Sequence, residues 1–155
     1  MRVLAIDQAS EKSGYAFGDT TSGLTSVGLI HVKPSRFSDL GSRFFDFEKK
    51  LKALLAEHKP ECVCFEEHRC HSGVQAAQVL GAITGIVMKV AKEAGCSYRG
   101  APVSSHKKAL TGCARASKEL TTAVARKRWP GLVIVDDNVA DAVSIWTWAR
   151  KEIED

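Results

Sequence analysis

Val3-Leu4-Ala5-Ile6-Asp7-Gln8-Ala9-Ser10, followed closely by Ser13-Gly14-Tyr15-Ala16, is the stretch on which the reading of this chain turns. Its apolar residues form a strand that ends on Asp7, and the chain then turns through Gln8-Ala9-Ser10 into a second extended segment. A later strand closes the same way, Cys62-Val63-Cys64-Phe65-Glu66-Glu67. A third acid, Asp141, stands in Asp136-Asp137-Asn138-Val139-Ala140-Asp141-Ala142, which continues apolar at helical spacing. Acids at the ends of adjacent strands can converge on one point, where their charges repel unless a cation sits among them. Carboxylates gathered in this way suit two Mg²⁺ or Mn²⁺ ions clamping a phosphodiester for in-line attack by water. A metal-dependent nuclease is therefore the leading reading.

Outward from these strands, the first third of the chain alternates in strand fashion over residues 2–7, 14–19 and 24–32, with turn signals at Asp19-Thr20-Thr21-Ser22-Gly23. Phe37, Leu40, Phe44, Phe47, Leu51 and Leu54 recur at three and four and predict an amphipathic helix. Pro60 precedes the strand at 62–66, and a long helix is expected over about 72–94, with Val79, Ile83, Ile86 and Val90 as its stripe. A short strand at 96–101 ends at Pro102, and two short helices flank the Thr111-Gly112 break, the second capped by Ser117. Trp129-Pro130-Gly131 stops it, 132–135 is a brief extended piece, and 138–151 forms the last helix. An antiparallel meander followed by βα crossovers describes an α/β protein, a mixed five-stranded sheet with helices on both faces. This is the pattern of the RNase H-like fold, in a single domain over residues 1–155. Fold alone does not establish function.

The 155 residues are enough to bury a core, and 45% apolar with 26% charged is ordinary for a soluble globular protein. Asp7 breaks the N-terminal apolar run, so it does not read as a signal peptide. The apolar stretch 81–90 is short for a bilayer and holds Lys89, so a cytoplasmic location with no membrane contact is expected. Net charge is +4, but unevenly spread. Residues 99–128 carry Arg99, Lys107, Lys108, Arg115, Lys118, Arg126, Lys127 and Arg128 against Glu119 alone, a local +7 that leaves −3 elsewhere. A basic block beside an acidic metal site is what a polyanion-cutting enzyme needs, although a solvated basic face would look the same. Cys62, Cys64, Cys70, Cys96 and Cys113 make no even disulfide framework and read as reduced thiols. Cys62, Cys64, His68, Cys70 and His71 crowd together but fit no standard zinc spacing, because the first two lie within a strand.

Four segments resemble one family, the RuvC-type Holliday junction resolvases, and the resemblance covers nearly the whole chain. They are Ala5 to Ser10 with Ser13-Gly14-Tyr15; Phe65-Glu66-Glu67 with Ala76-Ala77-Gln78-Val79-Leu80-Gly81 and Gly85; His106-Lys107-Lys108-Ala109-Leu110-Thr111-Gly112 with Ala116-Ser117-Lys118; and Ala140-Asp141-Ala142-Val143-Ser144-Ile145. The resemblance implies a dimeric, Mg²⁺-dependent endonuclease, with Mn²⁺ able to substitute, that nicks two opposed strands of four-way DNA and leaves 5′-phosphate and 3′-hydroxyl ends. By position, Asp7, Glu66 and Asp141 match its metal-binding acids, and Lys107 and Lys118 its DNA-contacting lysines. Lys108, Arg115, His68 and Arg69 are further expected DNA contacts. Gly81 and Gly85, four apart on the long helix, either pack tightly on the sheet or, following the family, lie in a dimer interface.

Each position also has a physical reading of its own. Glu66 and Glu67 face opposite sides of a strand, so only one faces the site, and the family match falls on Glu66. Asp137, Asn138 and Asp141 share a helical face, whereas Asp136 and Asp137 equally suit a helix N-terminus. Lys107 could reach the scissile phosphate, and Lys118, just past an N-cap, suits a phosphate. The chain departs from the family at Asn138, where an acid or histidine often stands, leaving the fourth ligand between Asn138 and Asp137. It departs again at Arg69, near where an aromatic wedge is common, so junction opening would rest more on charge. Three alternatives stand beside the resolvase: a broader fork and flap nuclease, a non-catalytic junction-binding protein, and an ATP-binding actin-like domain. Three retained acids weigh against the second, and the lack of a second domain and phosphate loop against the third. Nothing in the sequence identifies a branch-migration motor.

Overall fold

A computed structural model describes residues 1–34, 39–68 and 73–155. Phe37, Arg69, Cys70 and His71 therefore lie outside the described residues. The chain runs β1 (Arg2–Asp7), β2 (Lys12–Asp19), β3 (Gly23–His31), α1 (Leu40–His58), β4 (Cys62–Glu67), α2 (Val74–Glu93), β5 (Ser97–Pro102), α3 (Val103–Thr111), α4 (Lys118–Arg128) and α5 (Asp137–Glu154). The strands form one sheet in the order β3-β2-β1-β4-β5. β1–β2 and β2–β3 pair antiparallel, whereas β1–β4 and β4–β5 pair parallel.

β1 is central, and both of its faces are covered. Val3, Ala5, Cys62 and Cys64 face one core with Val139, Val143 and Trp146 of α5. Leu4, Ile6, Val63 and Phe65 face the other with Phe47 and Leu51 of α1 and Ile83 and Val87 of α2. The two-residue period of a strand sends alternate side chains to opposite layers, so a doubly covered strand reads as an unbroken apolar run. Fully burying side chains such as Leu4, Leu51 and Ile83 contributes about 1.5–3 kcal/mol each.

α1 begins where Asp39 Oδ1 accepts from the Ser42 amide at 2.7 Å. It ends at Lys59, whose backbone is left-handed (φ 49°, ψ 57°), just before Pro60. α3 stops at Gly112 (φ 82°), and Ser117 caps α4 by accepting from the Leu120 amide, both as expected. The last helix is longer than 138–151 because Asp136 caps it at Val139 and the helix continues to Glu154. Residues 132–135 add no strand.

α2 differs from its expectation in two ways. Its buried stripe is Ile83, Val87, Val90 and Ala91, with Val79 and Ile86 only partly covered. The helix is also 20 residues long with a mean hydropathy of 1.5 over an 18-residue window, long and apolar enough to cross a membrane, where the stretch 81–90 alone is too short. The buried stripe packs on the sheet, and Lys89 bonds Glu48 at 2.6 Å, which accounts for that side of the helix. On the other side, a Cβ at Gly81 or Gly85 would meet nothing within 4 Å, so tight packing on the sheet is not what makes them small.

Candidate active site

The parallel register of β1 on β4 pairs Ile6 with Phe65, which sets Asp7 and Glu66 side by side at the ends of neighbouring strands. Gln8 fixes that alignment beyond the ladder. Its buried amide donates to the Glu66 carbonyl at 2.8 Å and accepts from the Glu66 amide at 3.2 Å, while a second N–H reaches Thr84 Oγ1 at 3.1 Å. Asp141 arrives from α5. A Cβ on Gly14 would lie 2.0 Å from the Asn138 carbonyl oxygen, so only glycine lets the start of α5 approach the β1–β2 hairpin this closely. The first turn of α5 then stands over the strand ends, and the next turn delivers Asp141.

The electrostatics follow from this crowding. Asp7 is 8% exposed. Its carboxyl is pushed well above the usual range by burial, and then by the charges of Glu66, Asp141, Asp137 and Asp136. Asp141 is raised by burial, with Lys107 pulling against the shift and Glu66 adding to it. For Glu66, burial opposes ionisation, but hydrogen bonds from His106 and His68 outweigh it and hold the carboxyl at about 2. Without a cation the cluster thus places its negative charge on Glu66 and disfavours it on Asp7. Donor atoms of Asp7, Glu66 and His68 all lie within 4.8 Å of one another, a spacing that suits one divalent ion.

Neither His106 nor Ser144 was singled out from the sequence for a role. His106 is fully buried. Ser144 Oγ donates to the His106 carbonyl at 2.8 Å and faces His106 Nδ1 at 3.0 Å, while Nε2 stands 3.0 Å from Glu66 Oε2. With its one proton given to the carbonyl, Ser144 accepts from Nδ1–H, and a proton on the Nε2–Oε2 line completes the contact. The signal that could have found Ser144 was its place three residues after Asp141, on the same helical face.

The other expected residues are dispersed around this centre. His68 is drawn inward, with Nδ1 3.1 Å from Glu66 Oε1. The half-buried Lys107 bonds the Ala116 carbonyl at 3.3 Å and is close enough to act on Asp141. Lys108 and Arg115 are exposed. Lys118, 72% exposed, reaches Asp137 Oδ2 at 3.4 Å. Asn138 donates its amide to Asp136 Oδ2 at 3.3 Å, and Asp136 itself is the helix cap. Glu67 faces the far side, against Gly100 of β5. Gly81 and Gly85 line a groove of about 810 Å³ between α2 and the β4–β5 edge, with Leu80, Met88 and Tyr98.

The family model described as "Crossover junction endodeoxyribonuclease RuvC" matches residues 3–146. A RuvC crossover junction endodeoxyribonuclease of Cereibacter sphaeroides is 27% identical over 148 residues, covering 94% of this chain and 86% of its own. The structure of Thermus thermophilus RuvC superposes with a TM-score of 0.78 at 26% identity, over 99% of this chain and 96% of that one. T. thermophilus RuvC in complex with a Holliday junction substrate gives 0.82 at 22% identity with the same coverage, an agreement of fold. The strand-end acids, the RNase H-like sheet and a match running from β1 into α5 lead to one conclusion: the chain belongs to the RuvC family of crossover junction endodeoxyribonucleases.

Proposed function

We propose that this endonuclease binds four-way DNA junctions as a homodimer and nicks two opposed strands symmetrically, using divalent cations held by Asp7, Glu66 and Asp141. The observation that carries this reading is the convergence of those three acids beside a basic rim on α3 and α4. Mg²⁺ is the expected ion, with Mn²⁺ substituting, and the start of α5 offers Asn138 and Asp137 as further donors. When bound, the cations supply charge neutralisation at the phosphodiester and a water of lowered pKa.

The chain's own residues do the rest. The Glu66 main chain is pinned by the side chain of Gln8, the neighbour of Asp7, which keeps the two acids side by side when substrate arrives. Water adds to phosphorus and the P–O3′ bond breaks, leaving a 5′-phosphate and a 3′-hydroxyl. Lys107, near enough for its charge to act on Asp141, offsets the charge that builds on the phosphate oxygens. Lys108, Arg115 and Lys118, with Arg69 from the segment outside the described residues, grip the flanking backbone. T. thermophilus RuvC is known in complex with a Holliday junction substrate, which supports branched DNA as the partner here. The open face of α2 around Gly81 and Gly85 suits a second copy of the chain. A DNA substrate of this kind fits the cytoplasm of a bacterial cell or a phage-infected host.

The test compares a synthetic four-way junction with linear duplex, fork and flap, in Mg²⁺, in Mn²⁺ and in EDTA. Paired symmetric nicks confined to the junction and lost in EDTA are expected. Equal cutting of forks and flaps would replace junction resolution with general branched-DNA cleavage, and tight binding without cutting in either metal would overturn the enzymatic reading.

A further inference from the structure

Two imidazoles hold Glu66, one on each carboxylate oxygen, and they differ in how they are themselves held. His106 is anchored at both nitrogens, by Ser144 and by Glu66, and is sealed from solvent. His68 touches Glu66 Oε1 through Nδ1 at 3.1 Å, and its buried Nε2 has no hydrogen-bond partner among the described residues. A buried polar atom without a partner points to a group that is missing. The first ring is a fixed support. The second, with a side chain 24% exposed, is held through one nitrogen only.

His68 stands two residues beyond Glu66, so the strand period carries both side chains to the face that bears Asp7, while Glu67 turns away toward Gly100. The donor atoms of Asp7, Glu66 and His68 lie within 4.8 Å of one another. Ligands around an octahedral ion at about 2.1 Å stand about 3 Å apart when adjacent and about 4 Å when opposite, so a small closure brings all three onto one ion. Meanwhile Asn138, on α5, has its amide committed to Asp136 and brings no charge.

We propose that His68 is a nitrogen ligand of the metal centre, completing a mixed carboxylate–imidazole site that selects Mn²⁺ over Mg²⁺. The inference rests on the metal-dependent reading above and replaces Mg²⁺ with Mn²⁺ as its preferred ion. Mg²⁺ is a hard ion that prefers oxygen and keeps its waters, whereas imidazole suits transition ions. A donor set with one imidazole therefore gains more from Mn²⁺ than three carboxylates alone would.

The experiment is pulsed electron paramagnetic resonance on the wild-type protein loaded with Mn²⁺, in natural abundance and with ¹⁵N-histidine. A directly bound imidazole nitrogen, changed by the isotope and lost in His68→Ala, is the expected result. His68→Ala should also weaken Mn²⁺ binding by about tenfold or more while changing Mg²⁺ binding much less. Mn²⁺ bound in an Asp7-dependent manner without nitrogen coupling, or coupling that survives in His68→Ala, would overturn the assignment of His68 and leave the proposed function standing. Absence of Mn²⁺ binding, or binding indifferent to Asp7→Asn, would overturn both. The isotope comparison uses the unmutated protein, so the result does not depend on a variant folding.

Discussion

The strand-end acids and the basic rim of α3 and α4 have opposite physical characters. Asp7 is buried among other carboxylates at a position where its charge is disfavoured, whereas Lys108, Arg115 and Lys118 are exposed to water that screens them. A buried charge must be placed to within fractions of an ångström to be tolerated, and it acts all or nothing. Exposed charges act collectively, and each can be replaced by a neighbour. Under the proposed function, chemistry would be localised in a few buried atoms, while affinity for polyanionic DNA would be spread thinly over the rim.

Asp7→Asn is the severest way to test that contrast. Cleavage of a junction should fall by on the order of 10²–10³-fold or more, with junction binding retained. The same change should raise the melting temperature of the metal-free protein at neutral pH. An acid whose folded pKa is raised binds its proton more tightly when folded, so stability is lost as pH rises above the usual carboxylate value, and an amide escapes that loss. Glu66 has the opposite sign: its stabilisation is full above 4.5 and fades as pH falls toward about 2. A variant at Asp7 that cut normally would break the comparison outright.

Gly14→Ala comes next. The new methyl would meet the Asn138 carbonyl, so α5 must shift, at a cost of about 1–3 kcal/mol in urea unfolding, and cleavage should drop because Asp141 moves with it. His106→Phe keeps the volume but removes the ring partner of Glu66 Oε2 and leaves Ser144 with only the carbonyl at 106, for about 1–3 kcal/mol of stability and a measurable loss of metal affinity by calorimetry. Lys118→Ala should do least. It should weaken DNA binding at low salt and reduce the slope of log affinity against log salt by about one, leaving the chemical step intact in single-turnover assays at saturating enzyme. If Lys118→Ala matched Asp7→Asn in severity, the division between localised chemistry and distributed affinity would be wrong.

Much of the sheet was legible because its signals are local. Unbroken apolar runs ending on an acid marked β1 and β4, and Gly112 and Ser117 announced a helix end and a helix start through backbone chemistry alone. The strand-end positions of Asp7 and Glu66 were legible for the same reason, whereas Asp141 lies one turn inside α5 and stands out by its helical spacing from Asp137 and Asn138. What supports them was hidden by distance in the chain: His106 and Ser144 meet across 38 residues, and Gln8 grips Glu66 across 58. No periodicity encodes such contacts. From sequence, Asp136 and Asp137 suit capping and metal binding equally, and the structure makes Asp136 the cap while drawing Asp137 to Lys118. Gly81 and Gly85 show the converse problem. A four-residue spacing of small side chains means close approach of something, but whether that is the sheet or another molecule depends on how the helix is turned, and here neither glycine packs against the sheet: both line the groove beside it.

The burial and crowding that raise Asp7 also govern how the centre is loaded. A carboxyl that prefers to be neutral keeps a proton where a cation would otherwise sit, so below its pKa loading the centre is an exchange, metal in and proton out. Acid and metal then compete for the same oxygen atoms. Lowering the pH by one unit in that range raises the metal concentration needed for half-loading by up to about tenfold, and the heat of binding measured in a buffer carries the buffer's own heat of taking up that proton.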